Sequence, residues 1–442
     1  MLGPDMSREM TVEELYSEFL QSAGICTDTR KAIGGRLFFA IRGERFDGNV
    51  YVEEALQKGC RLAVTDRNDL PQHDRVVYTG SPLALLQQLA RHHRRVKSPR
   101  VLAITGSNGK TTTKELIAAI LSKKIPVLST RGNLNNHIGV PLTLLELADQ
   151  QMAVIEMGAN HTGEIKALAE IAEPGMGLVT NVGKAHLEGF GSPEGVLRAK
   201  GELYEYLAAT GGKAIVDGSD PVLMKKAGET GVEQIVTGPH GTLPVACRVV
   251  TQRPFLEVEV KMGDAWFRVT TGLVGGYNLQ NILFAVSVGY HFGIPAEMVR
   301  DAIADYRPEN FRSQFIAGKR NRVTLDAYNA NPTSMREAIG GLLEYASSPV
   351  MLILGDMAEM GDASEREHRD LLQWLGTRSI DRILLVGKHF PEVCDPASGA
   401  LTFRDIADLE RWLKNEMPEG YHVLVKGSRI MELERLVPLL TD

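Results

Sequence analysis

Cysteine is scarce in this chain of 442 residues: there are four, Cys26, Cys60, Cys247 and Cys394, and no two stand at C-x-x-C spacing. A zinc knuckle or a dithiol redox motif is therefore unsupported, and four thiols in so long a chain read as reduced side chains of a reducing compartment. Long apolar runs are missing as well. None approaches the ~18–20 residues that a bilayer span needs. The opening MLGPDMSREM carries acids and lacks an apolar core, so no signal peptide is expected and the protein reads as cytoplasmic. There is no basic excess: 49 Lys and Arg stand against 55 Asp and Glu, a net charge of −6, which leaves no broad footprint for nucleic acid. No G-x-G-x-x-G follows a strand. Gly189, Gly191 and Gly195 imitate it with the third glycine one residue late, so a nicotinamide or flavin cofactor is unsupported. Internal repeats and low-complexity tracts are absent.

What remains is globular material. Hydrophobic residues make up 43% and charged residues 24%, enough for a large core. At ~150 residues per domain the length implies about three domains. A helical pattern covers 11–21, and short apolar runs at 37–41 and 62–64 read as strands with a helix near 51–58 between them. This small α/β unit ends at the basic stretch 92–100 (HHRRVKSPR), read as a solvated helix end and linker rather than an anion patch. From Val101 strands and helices alternate, the pattern of a mostly parallel sheet with helices on both faces. Residues 255–271 read as an antiparallel pair, followed by helices from Asn278 and over 296–304. A third βα series starts near Arg322. Its first helix opens at Asn331-Pro332, with Asn as N-cap and Pro as first helical residue. VMLILGD, DRILLVG and HVLVKG are further buried strands. The reading is three α/β domains, 1–95, 96–308 and 309–442, the last Rossmann-like.

The sharpest local signal is ITGSNGKTTT at 104–113, after a predicted strand and at the opening of a helix. Gly106 and Gly109 let the backbone approach phosphate oxygens, and the helix N-terminus adds N–H groups and a positive dipole. Ser107, Asn108 and Thr112 complete the loop. Lys110 can reach the outer phosphates of ATP, and the Thr111 hydroxyl suits Mg²⁺. Two residues separate the glycines instead of the four of the strict P-loop, so this is a compact variant. Glu156 ends the apolar strand AVIE, where a carboxylate can hold Mg²⁺ or make a surface ion pair. His186, in NVGKAHLEG, and Lys200, in RAKGELYEY, have bland readings when taken singly: a loop histidine and a solvated helix lysine.

Taken together and in order, TGSNGKTTT, the Glu156 strand end, NVGKAHLEGFGS and AKGE resemble the Mur ligases, the ATP-dependent ligases of cytoplasmic peptidoglycan assembly, and the resemblance runs over nearly the whole chain. GGYNLQNILFA is similar to the family's adenine-side block. DTR with FFAIRGERFDG, GNLNNHIGVPLTLLEL, VIEMGANHTGEI, DAYNANPTSM, LGDMAEMG with His368, and VLVKGSR are most similar to the member that joins D-alanyl-D-alanine to UDP-N-acetylmuramoyl-tripeptide.

The resemblance implies phosphorylation of the tripeptide carboxylate by ATP, then attack of the dipeptide amine on the acyl phosphate. It implies Lys110, His186 and Lys200 as catalytic residues, with one Mg²⁺ on Thr111 and Glu156 and a second served by His186 and Lys200. An ammonium has no lone pair for a metal. In the family this lysine is carbamylated by CO₂, and the resemblance implies an N6-carboxylated Lys200. Asn281 would meet the adenine, and Arg312 and Asp326 the phosphates and ribose. The glycine that precedes such an arginine in the family is Phe311 here. Thr29 and Arg30 would take the UDP end, and Asn135, Asn136 and Asn160 the substrate near the phosphate loop. Asn329, Asn331 and Ser428 would take the dipeptide. The protein is expected to be a monomer without nucleic-acid partners. The competing readings are a folylpolyglutamate synthetase-like ligase, a non-catalytic Mur-like protein, and a P-loop kinase or motor ATPase.

Overall fold

The structure is a computed structural model that describes residues 9–31, 33–43, 46–69, 73–184, 186–239, 243–347 and 349–442. Most of the stretch read for a signal peptide lies outside these residues. By internal contacts the chain forms two compact units. One takes the chain up to Ala103 with Ile125–Gly158 and Lys166–Gly175; the other takes Ile104–Lys124, Ala159–Ile165 and Met176–Asp442.

The first unit carries a four-stranded parallel sheet in the order Ile25–Cys26, Leu37–Phe39, Leu62–Thr65, Val76–Tyr78. These strands are short apolar runs buried against Ile33, Val52, Ala55 and Cys60. The helix Val12–Leu20 starts at a capping box in which Thr11 and Glu14 bond each other's backbone. A further parallel pair, Val127–Ser129 with Met152–Glu156, belongs to the same unit. The basic stretch is an exposed helix end, as expected, and not an anion patch. It is the end of the helix Pro82–Lys97, where Arg91 and Arg95 pair with the Glu173 carboxylate and Arg94 donates to the carbonyls of Ala172 and Glu173. Neutralising one carboxylate and capping a helix C-terminus is what these cations do.

In the second unit the strands Met176–Val179, Lys213–Asp217 and Glu233–Thr237 run parallel. The expected antiparallel pair is a three-stranded sheet, Val245–Gln252, Phe255–Met262 and Ala265–Val274. Its first strand escaped notice because three successive residues, Arg248, Val249 and Val250, are exposed and break the alternation. The C-terminal part is a six-stranded sheet in the order Gln314–Ala317, Arg322–Asp326, His422–Lys426, Val350–Gly355, Arg382–Val386, Leu401–Phe403, parallel except for its first strand. Both of its faces are covered. Leu352 and Leu354 pack with Met335, Ile339 and Leu371 on one side, while Met351 and Ile353 pack with Leu409, Leu413 and Leu436 on the other. Continuous rather than alternating apolar strands are the mark of such double burial. The fold is thus α/β with parallel sheets, as read from the sequence. All four cysteines are free thiols.

Candidate active site

The site grows from the turn between Thr105 and the helix Lys110–Leu121. Gly106 and Gly109 hold φ of +142° and +78°, and a Cβ on either would strike a neighbour: the Thr180 hydroxyl for Gly106, the Asn281 side-chain oxygen for Gly109. The loop is held from outside by the segment that follows Met176–Val179. Ser107 N–H donates to the Asn181 carbonyl at 3.0 Å and Asn108 N–H to the Asn181 side-chain oxygen at 3.0 Å. The Thr180 hydroxyl and Asn181 Nδ2 both donate to the Asn108 carbonyl, at 2.6 and 3.2 Å. Gly183 N–H donates to Ser107 Oγ at 2.9 Å, and Ser107 Oγ donates to the Gly183 carbonyl at 3.2 Å. The cradle is therefore held in shape by the protein's own hydrogen bonds. Asn181 is its pivot, and sequence reading passed over it because nothing marks an asparagine at a strand end as a loop partner.

Lys110 turns back over this cradle and donates from Nζ to the carbonyls of Gly106 and Ser107 at 2.6 and 3.1 Å. Thr111 is buried and Thr112 half-buried in the first turn of the helix. Beside the loop lies a cavity of about 270 Å³, walled by Asn108, Gly109, Asn181, Tyr277, Asn281 and Glu337 among others. Asn281 is fixed there: its oxygen accepts from Thr113 at 3.0 Å and its amide donates to Asn278 Oδ1 at 2.8 Å. Asn278 is the first residue of its helix, as expected, and Tyr277 stands at the N-cap.

Lys200 lies on the helix Pro193–Thr210 with 1% of its surface exposed, its ammonium 3.3 Å from the Ala159 carbonyl and 5.2 Å from the centroid of the Phe190 ring. Burial, aided by the charge of Lys110, pulls its pKa down to about 7, against the pull of Glu164 and Glu202. His186 has a left-handed backbone (φ +51°), and its Nδ1 stands 2.5 Å from Glu359 Oε2, at an angle poor for a hydrogen bond. That contact holds the Glu359 carboxyl below its usual range.

Arg312 stacks its guanidinium 3.6 Å from the Tyr328 ring centroid, and its buried Nε has no hydrogen-bond partner among the described residues. Phe311, where the family carries glycine, adopts φ +59° between Asn310 and Ser313, which are also left-handed. Three non-glycine residues thus hold a left-handed backbone that side chains ordinarily disfavour. Asp326 accepts Lys426 Nζ at 2.6 Å and the N–H of Ser313 at 3.3 Å. Asn331 caps its helix through the N–H of Ser334 and reaches Asn108 Oδ1 at 2.7 Å with its amide, so the loop and the 332–345 helix meet through it. The Asn329 oxygen accepts from Ala330 N–H, and buried Ser428 Oγ accepts from Ala358 N–H at 2.7 Å. Buried His368 accepts from Met357 N–H with Nε2 and bonds the Ser364 carbonyl with Nδ1, an arrangement that fixes a loop.

Other expected residues belong to the first unit. Glu156 is buried, with Asn135 Nδ2 donating to its Oε1 at 2.8 Å. Asn136 caps the turn at Ile138 and Gly139. Thr29 is buried, and its carbonyl accepts Lys58 Nζ at 2.8 Å. Arg30 is exposed and forked onto Asp28, whose pKa it lowers to about 2. Asn160, in the second unit, is exposed at the start of the 164–172 helix, its N–H donating to Glu164 at 2.7 Å. Among the described residues no three His, Cys, Asp or Glu side chains cluster as a metal cage, and no helix is long and apolar enough to cross a membrane.

Three domain profiles match the chain: "Mur ligase family, catalytic domain" over residues 21–138, "Mur ligase middle domain" over 104–289, and "Mur ligase, glutamate ligase domain" over 311–429. The chain is 34% identical over 435 residues to UDP-N-acetylmuramoyl-tripeptide–D-alanyl-D-alanine ligase of Bacillus subtilis, covering 95% of this chain and 93% of that one. Among solved structures, MurF from Acinetobacter baumannii is similar at TM-score 0.87 and 31% identity, with 98% of both chains covered. MurF from Thermotoga maritima in complex with ADP is similar at 0.85 and 27%, covering 96% of this chain and 98% of that one.

Proposed function

The chain belongs to the Mur ligase family, and from that premise we propose that it is the ATP-dependent ligase that adds D-alanyl-D-alanine to UDP-N-acetylmuramoyl-tripeptide in peptidoglycan precursor synthesis. The observation that carries the reading is the cradle of Gly106–Gly109 with Lys110 folded over it and a cavity beside Asn281. A nucleotide bound there has its adenine in the cavity and its phosphates at the helix N-terminus, where backbone N–H groups and a cation offset their charge.

The chemistry proceeds in two steps. An oxygen of the tripeptide carboxylate attacks the γ-phosphorus, the bond to the β-γ bridging oxygen breaks, and ADP leaves. The dipeptide amine then attacks the acyl carbon and gives up a proton, and the carbon–oxygen bond to phosphate breaks, leaving the amide. Positioning and charge neutralisation do most of the work in such phosphoryl transfers. Lys110 supplies the charge at the transferred phosphoryl group, a role that requires its ammonium to leave the Gly106 and Ser107 carbonyls. The unpartnered Nε of Arg312 suits a phosphate oxygen, and Asp326 the ribose.

Mg²⁺ bound to the phosphates neutralises their charge and aligns them. The protein's donors fit it: Mg²⁺ takes oxygen ligands, one or two of them carboxylates, and the rest from phosphates and water. The Thr111 hydroxyl beside the phosphate loop is such a donor, and no all-protein cage is needed. For Lys200 the fit is chemical. A lysine whose pKa is pulled down to about 7 is far more often neutral at neutral pH than an ordinary lysine. Its lone pair can add to CO₂ with loss of a proton, turning a cation that repels metal into a carboxylate that binds it alongside His186. In this reading residues 1–95 hold the UDP end, 96–308 the ATP, and 309–442 the dipeptide; the protein acts as a monomer in the cytoplasm, where ATP is.

The test is phosphate release from ATP–Mg²⁺ with UDP-N-acetylmuramoyl-tripeptide, with and without D-alanyl-D-alanine. Release that needs both, with a product heavier by the dipeptide, is expected. Release with a single amino acid in place of the dipeptide would move the enzyme to a sister step of the family.

A further inference from the structure

The cavity beside Asn281 opens at the carboxyl ends of two paired parallel strands, Lys213–Asp217 and Glu233–Thr237, the edge at which open α/β sheets take their ligands. Asp217, the last residue of its strand, is buried, and both of its carboxylate oxygens are in use. Oδ1 accepts the N–H and the hydroxyl of Ser219 at 2.9 and 2.7 Å. Oδ2 accepts Gln280 Nε2 at 3.2 Å. A carboxylate only accepts, so this contact decides which way round the Gln280 amide stands: nitrogen toward Asp217, oxygen turned away from it. All three residues line the cavity. Gln280 Oε1 and the second amide hydrogen have no partner among the described residues. Asn281, the neighbour in sequence, is differently placed, since its oxygen and an amide hydrogen are committed to Thr113 and Asn278. Leu279, Leu283 and Pro239 add apolar wall, against which a flat ring can lie.

A free amide oxygen beside a free amide N–H is the fork that pairs with adenine, accepting from the 6-amino group and donating to N7. A purine with oxygen at position 6 presents two acceptors along that edge instead. It would meet Gln280 oxygen to oxygen. Turning the amide over to relieve that clash would set the same oxygen against the Asp217 carboxylate. We propose that Asp217 makes this site choose adenine, acting through Gln280. Gln280 touches the base, and Asp217 is the positioning residue that forbids the amide orientation a 6-oxopurine needs. The assignment rests on the nucleotide placement of the ligase reading and goes beyond it, since a phosphate loop reads phosphates and not the base.

The test is calorimetric binding of ADP and of inosine diphosphate, whose base carries oxygen at position 6, to the full chain and to its Asp217→Asn and Gln280→Leu variants. The wild type is expected to bind ADP more tightly by about tenfold to hundredfold, the discrimination that one such paired contact provides. An asparagine at 217 can meet either end of the Gln280 amide. Asp217→Asn should therefore bring the ratio toward parity, chiefly because inosine diphosphate binds better. Gln280→Leu should bring it toward parity from the other side, because ADP binds worse. A merely structural loosening would weaken both nucleotides alike and keep the ratio. A wild type without the preference, or either variant with the wild-type ratio intact, overturns the proposal. Binding needs no turnover, so the two readings fail separately. A chain that prefers ADP in this way but releases no phosphate with both substrates present would lose the ligase reading and keep this assignment.

Discussion

The carboxylate of Glu367, fully buried on the helix Ser364–Leu375, is met at 2.8 and 3.1 Å by the ammonium of Lys184, a residue of the loop whose Gly183 clasps Ser107. Arg366 is the other cation near it, at 3.4 Å. A buried charge that loses its partner is costly. Lys184 itself is 45% exposed, which lessens the cost. Lys184→Ala should lower stability by about 2 kcal/mol, between the ~0–1 of an exposed pair and the ~3–5 of a buried pair broken from one side. Urea unfolding measures it. Glu367→Gln should be milder, since no charge is stranded. Equal losses in the two variants would mean that packing, not charge, holds this contact.

Gly109→Ala should damage nucleotide binding more than folding. The left-handed backbone at Gly109 costs an L-residue about 1–2 kcal/mol, and the added methyl group must push aside the Asn281 side chain. ADP affinity measured by calorimetry should fall by about tenfold or more, since each 1.4 kcal/mol is tenfold. Unchanged ADP affinity would place the adenine away from Asn281.

The Lys200 amine sets a direction in pH. Its pKa is lowered to about 7, so below that value it holds a proton and has no lone pair, and above it the neutral amine can capture CO₂. Carbamate on Lys200, followed by NMR with isotope-labelled bicarbonate, should grow as pH rises from about 6 to about 8, well below the usual lysine range near 10.4. Lys200→Ala should abolish both the signal and the ligase activity. A fully active Lys200→Ala variant would remove the lysine from the mechanism.

Much of this could be read in the linear chain, for identifiable reasons. Strands such as Val350–Gly355 are continuous apolar runs because both of their faces are covered, and Asn331-Pro332 opens a helix because Asn accepts from Ser334 N–H while Pro needs no partner of its own. The phosphate loop announced itself through two glycines whose backbone angles other residues resist. Contacts between residues far apart in sequence left no such mark. Nothing local in Lys184 points to Glu367, 183 positions on, nor anything in Asn331 to Asn108. The cap at Asn331 was legible in the sequence, whereas the bond from Ala358 N–H to Ser428 was not, because the two residues lie 70 positions apart.

Gly183 has an implication for how this protein can vary. Its peptide group exchanges two hydrogen bonds with Ser107, and its Cα faces Thr333 so closely that a Cβ would press on the threonine side chain. Lys184, the next residue, donates its N–H to that same threonine. Two parts of the chain that could otherwise drift independently over generations therefore share one residue without a side chain. A larger residue at 183 would need simultaneous accommodation at positions 107 and 333. Pairs of changes at those two sites should be inherited together more often than either alone.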